Sequence, residues 1–252
     1  MTSYPTNLCN SQWQIISKFL DVQRNRRYSL REIVNAIIYV IKTGCQWRML
    51  PHDFPRWEIV YYYFSTWRDN SVWQQIHDSL VSKIRVIADR KEQPTVGIID
   101  SQSVKCSLVN SEDKGFDAGK KIKGIKRHII VDAMGLILAV AVQAASVQDR
   151  DGAKPVIEQL SLKYKRIKKI FADSGYRGRL IEWVKEKFRF RMKIVERPKT
   201  GKFEVLPKRW IVERTFAWLD TNRRNSKNYE RLNNSCLAII HLSAIRLMLN
   251  RF

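Results

Sequence analysis

Beyond Pro94, short runs of branched apolar residues alternate with stretches of helical spacing, and this alternation constrains the fold more than any other feature. Val96–Ile99 is the first run, and His128–Val131 with Leu136–Val142 flank a turn at Met134 and Gly135, which predicts a hairpin. There follow a helix near Gly152–Tyr164, a strand at Lys169–Ala172, a helix at Leu180–Phe188, a strand at Arg191–Val195 and a helix from Trp210 to about Asp220. The order β, β-hairpin, α, β, α, β, α predicts an α/β (α+β) domain, a mixed sheet flanked by helices. A further apolar helix, Leu237–Leu249, closes the chain and is assigned to this half.

The N-terminal third has a different texture. Ser29 and Glu32 form a capping-box pattern, Leu30, Ile33, Val34, Ile37, Ile38 and Ile41 recur at helical spacing, and Gly44 offers a C-cap. Shorter helices are predicted at Ser11–Leu20, Trp57–Trp67 and Ser71–Ile87. The expected division is therefore a small all-helical domain over residues 1–93 and a larger domain over 94–252. Helix-turn-helix DNA readers are built from such helices, but so are inert bundles. The aromatic run Trp57, Tyr61, Tyr62, Tyr63, Phe64 and Trp67 reads as core packing before it reads as a base-stacking platform.

Charge narrows the class of partner. Lys and Arg number 46 against 24 Asp and Glu, a net 46 − 24 = +22. Residues 1–95 carry 13 basic and 8 acidic side chains, and residues 96–252 carry 33 and 16, so +5 and +17 respectively. A Lys/Arg surface gains affinity for a polyanion by releasing condensed counterions, which makes nucleic acid the leading candidate. The longest apolar stretches, Ile33–Ile41 and Leu136–Val142, fall short of the roughly 18 residues that span a bilayer. Met1 begins no charged-then-apolar leader, and a cytoplasmic, nucleoid-associated protein with no membrane partner is expected. Cys9, Cys45, Cys106 and Cys236 include no CxxC pair, so neither a zinc site nor a disulfide scaffold is suggested.

Three carboxylates stand where this order of elements would let them converge. Asp100 ends the run VGII, Asp173 follows KIFA, and Glu213 lies in the helix RWIVERTFAWL. A carboxylate at the C-terminal end of each of two strands, with a third from a helix over the sheet, can hold two divalent cations about 4 Å apart, as in phosphoryl transfer. Carboxylates suit Mg²⁺ and Mn²⁺, hard ions that take oxygen ligands. The competing reading makes Asp100 and Asp173 turn or helix caps and Glu213 a solvated partner of Arg209 and Arg214. The apolar neighbours of Glu213 predict that it is partly buried and in need of a cation. Asp132, Asp149 and Asp151 are acidic alternatives, the last two placed as cap and first-turn residues of the Gly152 helix. His128, in the string KRH, is expected to be structural or phosphate-contacting and not a general base.

The strings GCQWRMLPHDFPRWEIVYYYFSTWRDNSVW at 44–73, DSQSVK at 100–105, GFDAGKKIKGIKRHIIVDAMGL at 115–136, ADSGYRG at 172–178 and VLPKRWIVERTFAWL at 205–219 resemble bacterial insertion-sequence transposases, specifically those of insertion-sequence family five. The likeness runs from about Gln12 to Arg231. It implies a DDE enzyme with an RNase H-like catalytic domain, N-terminal helices that help bind the element's ends, and Mg²⁺ or Mn²⁺ as a two-ion cofactor. Carried over residue by residue, it makes Asp100, Asp173 and Glu213 the metal-binding carboxylates. Arg209 fits a DNA-phosphate position of the family pattern. Leu206 and Asp220 stand where that pattern has Tyr and Lys, and Arg223 and Arg224 are the candidates to supply the missing positive charge.

The implied partners are double-stranded DNA, namely terminal inverted repeats and target DNA, and a second copy of the chain on DNA. The implied reaction is hydrolysis at the element's end followed by in-line attack of the 3′-hydroxyl on target DNA, with no covalent protein intermediate. Lys120, Lys121, Lys123, Lys126 and Arg127, running into the hairpin, suit backbone contact, as do Lys163, Lys165, Arg166, Lys168 and Lys169. Lys105, Arg177 and Arg214, beside the acidic motifs, complete the expected DNA-contacting set. The alternatives are a silent DNA-binding descendant and an RNase H-like nuclease that cuts without joining.

Overall fold

A computed structural model describes residues 4–107, 111–195 and 208–252. By packing, the chain divides into two units, one made of residues up to Leu80 together with Leu219–Phe252 and the other of Val81–Trp218.

The first unit is helical. Helices α1 (Asn10–Ile16), α2 (Leu30–Thr43) and α3 (Trp57–Asp69) precede α4 (Val72–Ile87), which carries the chain across the division. The capping box at the start of α2 forms as the local sequence requires: Ser29 Oγ accepts from Glu32 N at 3.2 Å, and Glu32 Oε2 accepts from Ser29 N at 3.1 Å. Gly44 ends α2 with φ 72°, a left-handed cap, and a Cβ there would stand 3.0 Å from Arg223 Cβ. Ile33, Val34, Ile37, Ile38 and Ile41 form the buried stripe.

The last helix, α8 (Asn233–Leu249), belongs to this unit and not to the second half of the chain where the sequence placed it. Its buried residues occupy nearly its whole circumference, and a helix apolar all round needs neighbours on every side. It finds them in α2 and α3. Gln12 Nε2 donates to Leu249 O at 3.1 Å, and Arg68 Nη1 to Ser235 Oγ at 2.7 Å. Of the aromatic run, Phe64 and Trp67 are core, with Trp67 edge-on to Trp73 at 5.2 Å, whereas Tyr62 is exposed.

The second unit is built on a mixed sheet of β1 (Val96–Lys105), β2 (Gly115–Asp117), β3 (Ile122–Val131), β4 (Ile137–Ala144), β5 (Lys169–Ala172) and β6 (Arg191–Ile194). The order is β2-β3-β1-β5-β6 with β4 also on β3. β3 runs antiparallel to β1, β2 and β4, and β1, β5 and β6 are mutually parallel. Helix α5 (Asp149–Lys163) packs on β4 and β3, and α6 (Arg179–Phe188) on β6; α7 (Arg209–Asp220) ends the unit. This is the RNase H-like mixed arrangement that the resemblance implies. Among the described residues no helix is long and apolar enough to cross a membrane.

Two strands are longer than their apolar runs. β3 starts at Ile122, six residues before His128, because its Lys- and Gly-rich beginning is recruited into ladders with β1 and the unforeseen β2. The hairpin turn is held by Asp132, whose Oδ1 accepts from Met134 N at 2.8 Å and Leu136 N at 2.9 Å and whose Oδ2 pairs with Arg85. Gly152 in α5 is required by close approach, since a Cβ would lie 2.2 Å from the buried His128 ring.

Candidate active site

Asp100 is not the last residue of its strand. β1 runs on to Lys105, but β5 pairs it only over Val96–Ile98, after which β1 keeps β3 alone as a neighbour. The ladder splits where β5 ends at Ala172, and Asp100 and Asp173 stand on either side of that split.

Each aspartate divides its oxygens between a local and a shared role. Asp100 Oδ1 accepts from Ser101 N at 2.7 Å, and Asp173 Oδ1 accepts from Gly175 N at 2.8 Å, capping the 3-10 turn Ser174–Tyr176. The second oxygens face one guanidinium: Arg209 Nη2 lies 3.8 Å from Asp100 Oδ2, 3.6 Å from Asp173 Oδ2 and 3.3 Å from Glu213 Oε1. The local hydrogen bond and the approach to Arg209 therefore use different oxygens of each aspartate. Arg209, expected on DNA phosphate, is in this structure the cation about which the three carboxylates gather.

Glu213 is not partly buried as its neighbours suggested; its side chain is 57 % exposed, against 17 % for Asp100. Helix α7 buries a stripe of Ile211, Val212, Thr215 and Phe216, while Trp210 and Ala217 are exposed with Glu213. Burial pushes the Asp100 carboxyl up to about 6, against the opposing pull of the Ser101 N–H and Arg209, and the charge of Asp173 adds to the rise.

A second polar layer adjoins the first. Ser101 Oγ donates to Asp149 Oδ1 at 2.7 Å and Ser103 Oγ to Asp117 Oδ2 at 2.5 Å. Lys126 Nζ lies 3.1 Å from Asp149 Oδ1 and 3.6 Å from Asp117 Oδ2, and donates to Val147 O at 2.8 Å. Burial pushes Asp149 up, but the hydrogen bonds from Ser101 and Lys126 outweigh it and hold its carboxyl below the usual value. The Tyr176 hydroxyl is buried in the field of Asp100, Asp149 and Asp173, and desolvation with that field raises it well above its ordinary value. Burial also lowers His128, to about 4, so it is a neutral core ring. Sequence reasoning had made Asp149 an acidic alternative and a cap or first-turn residue of the Gly152 helix, and gave Ser101 and Tyr176 no role. The signal for them is the alternation Ser101, Ser103 along the polar half of β1.

The basic residues separate by environment. Lys105, Lys120, Lys121, Lys123, Arg177 and Arg223 are exposed. Lys126 and Arg127 are buried, against the expectation that they touch DNA, because their strand is interior to the sheet. Arg224 is buried and paired with Glu230 at 2.7 Å, and belongs with Arg223 to the other unit. Arg214 stacks on Trp210 and Trp218, 4.6 and 4.2 Å from the ring centroids, and donates to Met134 O. The cluster Lys163–Lys169 lies at the start of β5, the strand end opposite Asp173. Leu206 lies outside the described residues, and Asp220 is exposed at the end of α7.

Among the described residues no three His, Cys, Asp or Glu side chains stand close enough in this conformation to enclose a metal ion. The donor set nevertheless fits one. Asp100 and Asp173 direct hard carboxylate oxygens at a common cation, the Arg209 guanidinium, and the Asp100 side chain is only 17 % exposed.

The chain is similar to known proteins. The family described as "Transposase DDE domain" matches residues 91–248, and "Putative transposase of IS4/5 family" matches residues 8–77. The "Putative transposase for insertion sequence element IS402" of Burkholderia cepacia is 33 % identical over 124 residues, 43 % of this chain and 54 % of that protein. The chain thus spans about half the length of the curated relative it matches. With a matched region that covers the sheet, the split between β1 and β5 and all three carboxylates, the chain belongs to the transposase DDE domain family.

Proposed function

We propose that this protein is a DNA transposase that hydrolyses the phosphodiester at the ends of its element and transfers the resulting 3′-hydroxyl into target DNA. The observation that carries the reading is the convergence of Asp100, Asp173 and Glu213 on one guanidinium at the split between two parallel strands. Asp100, Asp173 and Glu213 would hold Mg²⁺ or Mn²⁺, two ions in the family's chemistry, which polarise the attacking oxygen and stabilise the leaving one.

The protein's own contribution is positional. Asp100 is fixed by the sheet and by the Ser101 N–H; Asp173 is fixed by its cap on the following turn. Glu213, on the exposed side of α7, is the ligand with freedom to adjust. Arg209 pairs with the carboxylates in this structure and, were a cation held there, would be placed to meet a phosphate oxygen. Pairing two DNA ends requires at least two copies of the chain on DNA.

The test is strand cleavage and joining on labelled DNA from the flanks of its own gene, with Mg²⁺, Mn²⁺ or EDTA, beside an Asp100→Asn variant. Metal-dependent nicks at a discrete position followed by joined products, both absent in the variant, are expected. Cleavage without joined products would favour a nuclease, and binding without cleavage a DNA-binding descendant.

A further inference from the structure

Of the three carboxylates Glu213 is the most exposed. Its side chain is free to adjust, so its place depends on where α7 sits against the sheet. A helix advances about 1.5 Å and turns about 100° per residue, and a slip of one residue would carry Glu213 out of reach of a shared ion.

Helix α7 is tied down on the side away from Glu213. Thr215, 3 % exposed, sends its hydroxyl between two carbonyls, 3.0 Å from Ile211 O in its own helix and 3.0 Å from Gly135 O in the β3–β4 turn. The bond to Ile211 is the ordinary back-bond of a helical threonine, whereas the bond to Gly135 crosses to another element 80 residues away in the chain. Arg214 Nη2 donates to Met134 O at 3.2 Å. At the head of the helix Lys208 Nζ lies 4.0 Å from the centroid of the Phe171 ring in β5.

The turn is built to receive the helix. Gly135 has φ 85°, and a Cβ on it would meet Thr215 Oγ1 at 2.9 Å and Arg214 Nη2 at 3.3 Å. Asp132 takes the amides of Met134 and Leu136, and Gly135 N donates to Asp132 O at 3.1 Å. These amides are thus engaged within the turn, and the Met134 and Gly135 carbonyls face α7. Asp132 is paired with Arg85, whose Nε donates to Lys91 O at 2.9 Å and Glu92 O at 3.1 Å, ahead of the strand that bears Asp100. A line of buried polar contacts therefore runs from the approach to β1 through Arg85, Asp132 and Gly135 to Thr215, two residues from Glu213.

We propose that the β3–β4 turn is the stop that sets α7 in register with the sheet, with Thr215 and Gly135 as positioning residues for Glu213. They act through the helix and not by contact with an ion. The assignment rests on the reading of Glu213 as a metal ligand, but the stop itself can be tested without metal.

The test is Mn²⁺ binding by the full chain, by isothermal titration calorimetry, with hydrogen exchange of α7 in EDTA beside it. Thr215→Val removes the hydroxyl, and Gly135→Ala sets a methyl group against it. Each should weaken Mn²⁺ binding about tenfold, the lower end of what losing a supporting partner costs a metal site, and should speed exchange in α7 while β1 and β5 stay protected. Thr215→Ser keeps the hydroxyl and should bind as the native chain does. Both changes break one contact, so the double variant should bind no more weakly than the weaker single variant. Thr43→Val, which removes the same kind of back-bond from α2, should leave Mn²⁺ affinity unchanged. Native affinity in both Thr215→Val and Gly135→Ala overturns the proposal even if α7 exchanges faster, since that pattern is structural support alone. An equal loss in Thr215→Ser or in Thr43→Val overturns it as well. If the native chain takes up no Mn²⁺, or Asp100→Asn takes it up equally, the metal reading fails and exchange decides the rest. Faster exchange confined to α7 then retains the stop, and native exchange removes it.

Discussion

Arg209 Nη2 lies 3.6 Å from Asp173 Oδ2, and this ion pair joins the start of α7 to the split in the sheet. The same group meets Asp100 and Glu213, so one cation compensates three anions. Replacing it removes the cation that Asp100 and Asp173 share. Arg209→Ala should lower the melting temperature in EDTA by several degrees, about 1–2 kcal/mol for a partly buried pair. Millimolar Mg²⁺ should recover most of that loss, and melts with and without the ion check it. A loss equal under both conditions would mean that the carboxylates do not bind the cation in place of the guanidinium.

Asp100 should carry a measurable pH dependence in metal-free protein. Its folded value of about 6 lies above the ordinary 3.8, so between these values the folded state binds more protons than the unfolded chain. Stability from this group therefore falls as pH rises through that window, and the penalty is complete above it. Asp100→Asn should melt higher than the native chain at pH 7 to 8 in EDTA, and the difference should disappear near pH 4. A variant that melts lower at neutral pH would contradict the burial argument.

Lys126 is a buried cation shared by Asp149 and Asp117. Lys126→Met should destabilise by about 1–3 kcal/mol, below the cost of breaking a fully buried pair because Asp149 is one-third exposed. Adding Asp149→Asn should restore part of the loss, since it removes one orphaned charge. Urea unfolding of the two single variants and the double variant measures the coupling.

Gly152 is set by contact with His128 and not by a turn. Gly152→Ala should cost about 1–3 kcal/mol, because the new Cβ has no room beside the ring. His128→Ala in the same chain should relieve the clash, so the double variant should unfold later in urea than the sum of the two single losses predicts. As the ring is neutral and buried, this gain should not vary between pH 6 and 8.

Much of the fold is local and was therefore legible in the sequence. The Ser29–Glu32 box with Gly44 specified both ends of α2, and the strand KIFA was found at its observed bounds, because both depend on neighbours a few residues away. The positions of Asp100, Asp173 and Glu213 in the order of elements were legible as well, since each lies in or beside an element whose periodicity could be read. What remained hidden depends on pairing across the chain. β1 runs six residues past its apolar part only because β3 is there to accept its ladder, and β3 begins early for the same reason.

Burial of charge followed the same rule. Nothing near Lys126 in the chain announces that Asp149 and Asp117 will surround it, and nothing near Arg209 that it will gather Asp100 and Asp173 as well as its helix neighbour Glu213. Composition and periodicity alone determined the α/β class, the helical N-terminal part, the acidic candidates and the excess of positive charge. Tertiary structure alone decided that α8 packs with the N-terminal helices, that Glu213 is exposed, and that Lys126, Arg127 and Arg224 are interior. The physical reason is range. Periodicity and caps act within a few residues, whereas the cost of burying a charge is set by partners that only the folded chain brings within a few ångströms.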